Sequence, residues 1–399
     1  MKILVVADRV VHPPRSAAQQ RVCGLLRGLS RQHEVVLFAP TRFPADAEGI
    51  RHLESQGIAV ETARVPARRS LFAAVQARIA ALPGPYPANW VMTADPAVRS
   101  ALSAVVAARR PDLVLVEHLV CCKYYAAFAG ARPLVLDEYD VVSDRERAVA
   151  RGRGLSPYAL FCRWETRKVR AFEREMFANM DLVLACSELD RERFRQLGFP
   201  ARVAVVPNGT DLDAREVAPA SARQSVVFCG VLDTPPNELA ARELARELLP
   251  RVRAAVPGAC AIIVGRSPAR RVRRLAGPNV RVEADVPDVA PYLRDAGVVV
   301  VPVRSGSGTR VKILDAMAMG KAVVSTSKGA EGLEVTDGKD IFLRDDFQEL
   351  AAAIVRLLGS AELRAEIGGN ARRTVEARYD MRTIASKLDH ELRALVASG

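Results

Sequence analysis

Short runs of continuous aliphatic and β-branched residues recur along the chain, each followed by a longer amphipathic or Ala/Arg/Leu-rich stretch. This alternation restricts the fold more than any other feature. The runs "KILVVA" (2–7), "EVVLFAP" (34–40), "DLVLVEH" (112–118), "PLVLDEY" (133–139), "DLVLACS" (181–187) and "RVAVVPNG" (202–209) make one series. A second is made by "SVVFCG" (225–230), "CAIIVGR" (260–266), "VRVEADV" (280–286), "GVVVVPV" (297–303) and "KAVVST" (321–326). A strand with one wet face alternates apolar and polar residues, whereas a run that is apolar throughout is covered on both faces, as in a parallel sheet flanked by helices. Two such series in tandem predict an α/β protein with two Rossmann-like, doubly wound parallel-sheet domains.

The length of 399 residues agrees, since one ordinary core takes roughly 100 to 200 residues. In "VVPNGTDLDAREVAPASARQSVVFCG" a strand ends in Pro207-Asn208-Gly209, a polar stretch follows and a new strand begins, which puts the seam at about residue 215. The expected units are therefore an N-terminal domain over 1–215, a C-terminal domain over 216–380 and a helix over 381–399. Met381, Ile384, Leu388, Leu392 and Leu395 give that helix an apolar stripe, which can pack on its own domain or cross back to the N-terminal one.

No apolar run reaches the roughly 18 to 20 residues of a membrane span. "MKILVVADRV" reads as the first strand of a cytoplasmic domain, without the longer apolar core of a signal peptide. Seven cysteines, several inside apolar segments, fit a reduced compartment, and the adjacent Cys121 and Cys122 lack the spacing of a metal or redox site. The formal charge of +12 suits a phosphorylated substrate, an anionic membrane surface or a polyanion, and is equally what Arg-rich composition alone produces. No Lys/Arg block is interleaved with aromatics, so nucleic acid is not an expected partner. The basic amphipathic stretch 152–177, anchored by Phe161, Trp164, Phe172 and Phe177, is either an ordinary surface helix or a peripheral contact with an anionic membrane.

Chemistry concentrates in "RSGSGTRVKILDAMAMGKAVVST" (304–326). Ligands of open parallel sheets sit outside the carboxyl ends of the strands, where this loop lies. Gly306 and Gly308 let backbone N–H groups approach an anion, the helix starting near Thr309 or Arg310 turns its positive end to the same place, and Arg310 and Lys312 add full charges. Asp315, about one turn further on, is placed to accept hydrogen bonds from a ribose. On physical grounds alone a nucleotide diphosphate site and a plain helix end with solvated cations stand level.

The motifs resemble the retaining glycosyltransferases of the GT-B fold, family 4. "GTRVKILDAMAMGKAVVSTSKGAEGL" is similar to that family's nucleotide-sugar signature, "VVFCGVLDTPPNELAARELARELLP" to the opening of its C-terminal domain, "VVPNGTDLD" to the end of its N-terminal domain, and "IIVGR" to its strand near the donor base. The resemblance implies two domains facing across a cleft, with the donor on the C-terminal one and the acceptor on the N-terminal one. It implies a nucleotide-diphosphate sugar of UDP or GDP type as co-substrate, no metal, no other cofactor and no dedicated protein base, because the leaving diphosphate assists the acceptor hydroxyl. Gly230, Arg266, Gly306, Ser307, Gly308, Thr309 and Asp315 are the implied donor contacts, and Arg310 and Lys312 would neutralise the diphosphate.

This chain also departs from the pattern. Ser307 stands where the first carboxylate of the signature is expected, and Asp315 replaces the second, a Glu. Ser16, Ala17 and Ala18 stand where the N-terminal domain carries glycines, with Arg15 or Arg21 either compensating or lying on the surface. "VLVEHLV" places Glu117 and His118 at a strand end, where the family has a His near the donor sugar. In "LDEYDVV", Asp137, Glu138 and Asp140 either line a pocket for a hydroxyl-rich or cationic acceptor or cap the next helix. The implied acceptor is a saccharide, a lipid-linked saccharide of the cell envelope or a small molecule. A nucleotide-sugar epimerase, a sugar phosphorylase and a binding protein without turnover are the competing readings of the same fold.

Overall fold

The computed structural model describes every residue except 66–83, 85, 145–146, 148–156, 200–201, 307 and 399. Ser307 and the first residues of the 152–177 stretch thus lie outside the described residues. The chain divides into two compact units, Met1–Pro207 with Ile384–Gly399, and Asn208–Thr383.

In the first unit the parallel strands are β1 (Lys2–Val6), β2 (Glu34–Thr41), β3 (Ala59–Arg64), β4 (Leu113–Glu117), β5 (Leu134–Asp137), β6 (Leu182–Ala185) and β7 (Val203–Val205), in the order β3-β2-β1-β4-β5-β6-β7. Aliphatic residues at the middle of the sheet, such as Leu4, Val36, Val114 and Leu136, are wholly buried, as strands covered on both faces require. The second unit holds β8 (Ser225–Val231), β9 (Cys260–Arg266), β10 (Val280–Ala284), β11 (Val298–Val301), β12 (Val323–Ser325) and β13 (Phe342–Leu343), in the order β10-β9-β8-β11-β12-β13. Both are doubly wound sheets. The strand order reverses between β1 and β4 and between β8 and β11, the switch points where such sheets open a crevice at their carboxyl ends.

Two edge strands escaped the apolar-run criterion. β3 reads "AVETAR", with Thr62 and Arg64 exposed, and β13 is only two residues long. An edge strand has one neighbour and a wetter surface, so its sequence need not be continuously apolar.

The first division falls at Pro207–Asn208 instead of the expected residue 215. Asn208 bonds to Thr309, and Thr210 and Arg215 to Asp315, so these residues follow the second unit. The second division falls inside the last helix. Four helices matter below: α1 (Ala17–Leu29), α2 (Pro157–Asn179), α3 (Val311–Ala318) and α4 (Met381–Ala397). The part of α4 from Ile384 onward belongs to the first unit, with Ile384, Leu388 and Leu392 buried. It packs closely on α1: a Cβ at Gly28 would lie 2.2 Å from the Ala385 Cβ, so a larger residue there forces the helices apart. His33, after α1, meets Asp389 at 2.5 Å.

Candidate functional site

In the second unit α3 begins directly behind a loop whose Gly306 and Gly308 adopt φ of +98° and +75°. Only glycine takes such angles cheaply, which fixes the loop's path behind β11. Arg310 is the N-cap residue of α3, and its guanidinium donates to the Ser305 carbonyl at 3.1 Å. Lys312, on the first turn, runs back over the end of β8. Its Nζ donates to Asn237 Oδ1 at 2.8 Å and lies 4.4 Å from the centre of the Phe228 ring. Asn237 Nδ2 in turn donates to the Val231 carbonyl at 2.9 Å, which points the amide oxygen at the lysine. Gly230 makes room for this arrangement, since a Cβ there would be 2.8 Å from Lys312 Nζ. Among the described residues Lys312 makes no ion pair. Burial pushes its pKa down to about 8, with Cys229 opposing and the Arg310 charge adding to the shift.

Asp315 is buried. Its Oδ1 accepts from Thr210 Oγ1 at 2.6 Å and sits 3.3 Å from Arg215 Nε. A carboxylate accepting those bonds keeps acceptor capacity for another donor. Thr309 Oγ1 accepts from Asn208 Nδ2 at 2.6 Å. Arg266 ends β9, and its carbonyl accepts from the Leu232 amide at 2.8 Å. Beside it Gly265, at φ +150°, lies so close to β8 that a Cβ would be 1.8 Å from the Gly230 carbonyl oxygen.

In the first unit Arg21 projects from α1 and forks onto Asp137, with Nε to Oδ2 and Nη2 to Oδ1 both at 2.7 Å, and its Nη1 donates to the Pro207 carbonyl at 2.8 Å. Both side chains are buried, Asp137 completely. Asp137 therefore does not line an open acceptor pocket. Glu138 has no exposed surface either: it accepts from the Leu119 amide at 2.8 Å, and His118 Nε2 lies 3.3 Å away. Asp140 is likewise buried. Ser16 acts as the N-cap of α1, accepting from the Gln19 amide, while Arg15 is exposed and its backbone N–H bonds Gln19 Oε1.

His118 follows β4 with φ +68°, unusual for a residue with a Cβ, and its ring lies 4.8 Å from that of Tyr139. Its Nδ1 accepts from the Val120 amide at 3.3 Å. Glu117, paired in register with Asp137, is buried with neither oxygen hydrogen-bonded among the described residues. Burial pushes its carboxyl well above the usual range, the Asp137 charge adds, and Arg21 opposes. All seven cysteines are free, and burial raises the thiols of Cys121 and Cys122 far above the ordinary value. Among the described residues no group of His, Cys, Asp and Glu side chains could hold a metal ion, and no helix is long and apolar enough to cross a membrane.

Known proteins match both halves of the chain. The description "Glycosyl transferases group 1" matches residues 223–360, and "Glycosyl transferase 4-like domain" matches residues 16–209. The chain belongs to the group 1 glycosyltransferase family. Within it, the phosphatidyl-myo-inositol mannosyltransferase of Mycolicibacterium smegmatis is 29% identical over 217 residues, covering 51% of this chain and 55% of that one. The mannosyltransferase of the same description from Mycobacterium leprae is 27% identical over 228 residues, covering 54% and 60%. The matched regions thus span little more than half the length of these curated relatives. Among solved structures, the sucrose-phosphate synthase of Thermosynechococcus elongatus superposes with a TM-score of 0.72 at 20% identity, covering 100% of both chains. Anabaena HepE, in complex with UDP and glucose, gives 0.64 at 19%, covering 99% of this chain and 100% of that one. These likenesses establish the GT-B architecture of this group 1 family member.

Several residues of the site were not singled out from sequence. Asn237 and Phe228 hold Lys312, and Arg42 and Lys123 stand beyond the carboxyl ends of strands in the first sheet. The last two follow within a few residues of the apolar runs 34–40 and 112–118, so the rule that ligands gather at carboxyl ends of parallel strands would have found them. Asn237 ends the quoted "DTPPN" segment, in the first turn of the helix Pro235–Glu243, where its amide had no visible partner until the fold brought Lys312 to it.

Proposed function

We propose that the protein is a retaining glycosyltransferase that moves a sugar from a UDP- or GDP-type donor to a hydroxyl of a saccharide, lipid-linked or small-molecule acceptor. The carrying observation is Lys312, an enclosed cation held by a neutral amide and an aromatic ring at the switch point of the second sheet, with no ion pair among the described residues. A cation in that state gains from a diphosphate more than a solvated one does. Arg310 would share the diphosphate with it, Asp315 would meet the ribose, and Gly230 and Arg266 would flank the nucleoside. The glycine loop at 306 to 309 would take the sugar hydroxyls. The leaving diphosphate oxygen would accept the acceptor's proton, and His118 would hydrogen-bond the sugar. The mycobacterial relatives are named for mannose transfer to a phosphatidylinositol, which favours a cell-envelope acceptor handled on the cytoplasmic side.

Incubating the full chain with UDP-glucose, UDP-N-acetylglucosamine and GDP-mannose, with and without acceptor mixtures, tests this. Release of nucleoside diphosphate from one donor, raised by acceptor, with the anomeric configuration kept in the product, is the expected result. No release from any donor together with no calorimetric heat from UDP or GDP would overturn it.

A further inference from the structure

The acids expected on the acceptor side, Glu117, Asp137, Glu138 and Asp140, are buried inside the first unit, and cations take their place at its edge. Arg9 follows β1, Arg42 follows β2 and Lys123 sits in the 3₁₀ segment (Leu119–Ala127) that follows β4. Because the sheet order runs β2-β1-β4, these are the carboxyl ends of three neighbouring strands, at the switch point where a crevice opens. Asp8 accompanies them and is taken up by Arg9, Nη2 to Oδ2 at 2.8 Å and Nε to Oδ1 at 3.1 Å. Neither Arg42 nor Lys123 makes an ion pair among the described residues. Lys123 Nζ donates to Thr93 Oγ1 at 3.1 Å, and the buried Nε of Arg42 has no hydrogen-bond partner among the described residues. The cations act on one another: burial lowers the Lys123 pKa, Cys121 and Asp8 oppose, and Arg42 and Arg9 push it lower still.

Like charges drawn together at cost, with one carboxylate among them already engaged, form an anion site. We propose that Arg9, Arg42 and Lys123 form an acceptor subsite for a phosphate or carboxylate group, so that the acceptor is anionic, not neutral or cationic. This rests on the placement of the acceptor on the first unit given above. The shared chemistry is a tetrahedral or planar anion on or beside the sugar, whether carried by a soluble phosphate ester or by a lipid headgroup.

The test uses the full chain. Calorimetry with glycerol 3-phosphate, against glycerol, reads soluble-ester binding. Co-flotation with vesicles of phosphatidylglycerol and phosphatidylcholine, against phosphatidylcholine alone, reads headgroup binding, and UDP titration reads the second unit separately. Binding in either anionic arm is expected, weakened about tenfold or more in R42Q/K123Q, as loss of charge-assisted hydrogen bonds implies, with UDP affinity unchanged. Arg9 is exposed, so R9Q keeps the fold if the double variant does not, and is expected to weaken the same binding about threefold, like a partly solvated charge. The soluble arm alone identifies a phosphate ester, and the vesicle arm alone a lipid headgroup. No binding in either arm, or binding within twofold of wild type in the variants, overturns the inference even where UDP binds; absent UDP binding counts only against the donor reading.

Discussion

Two buried charges, one at the end of β5 in the first sheet and one at the switch point of the second, are held in opposite ways. Under the edge of the first sheet, Arg21 and Asp137 satisfy each other bidentately, and Arg21 spends a further N–H on the Pro207 carbonyl. At the second sheet, Lys312 is enclosed by a neutral amide oxygen and a ring face. The buried pair has nothing left to offer a ligand and is part of the framework. The lysine keeps a full charge whose field has not been cancelled, in surroundings that make the charge costly. Perturbation of a titratable group therefore points to function here only where its partner is neutral.

Removing one member of the buried pair should have the largest effect. Arg21→Met leaves Asp137 as an unpaired buried carboxylate, and chemical denaturation should show a loss of about 3–5 kcal/mol. R21M/D137L, which removes both charges, should recover much of that loss. If the single variant were as stable as wild type, the contrast between the two sites would collapse.

Lys312→Met should do the reverse. It deletes a desolvated charge, so stability should hold or rise, while kcat/KM for the nucleotide sugar falls about 10²–10³-fold, the scale of losing one preorganised charge-stabilising donor. Loss of stability with activity intact would make Lys312 a structural residue like Arg21.

Glu173 sharpens the comparison on the acid side. It has no exposed surface, accepts from the Val142 amide at 3.1 Å, and burial pushes its pKa up to about 7. A folded pKa above the unfolded one means stability is fully present below about pH 4.5 and is lost as pH rises through about 7. Glu173→Gln, which keeps an acceptor for Val142, should remove that slope and stabilise the protein by about 2 kcal/mol at pH 8, measured by denaturant titration across the window.

For Lys312 the sign is opposite. Its folded pKa lies below the ordinary lysine value, so the burial cost is present in full below about pH 8 and is relieved as pH climbs toward 10.5. Donor capture should move the other way, with kcat/KM falling above about pH 8 as the free enzyme loses that charge, and Lys312→Arg should push the limb to higher pH. The smallest change expected is from Thr210→Val, which removes one hydroxyl donor from Asp315 and should cost about 1 kcal/mol in stability.

The sequence by itself determined the α/β class and the tandem sheets, because a strand buried on both faces must be apolar throughout and that pattern survives in one dimension. It also placed Arg310, Lys312 and the loop glycines at one strand end, since loop, helix start and cation spacing are local. It did not show β3 and β13, whose edge positions relax the apolar requirement, nor that Asp137 is consumed by a residue 116 positions away. Whether a charged side chain is free or paired depends on partners far along the chain. The tertiary structure decided that, turning the acidic "LDEYD" segment into buried framework and leaving Lys312, Arg42 and Lys123 as cations without ion pairs among the described residues.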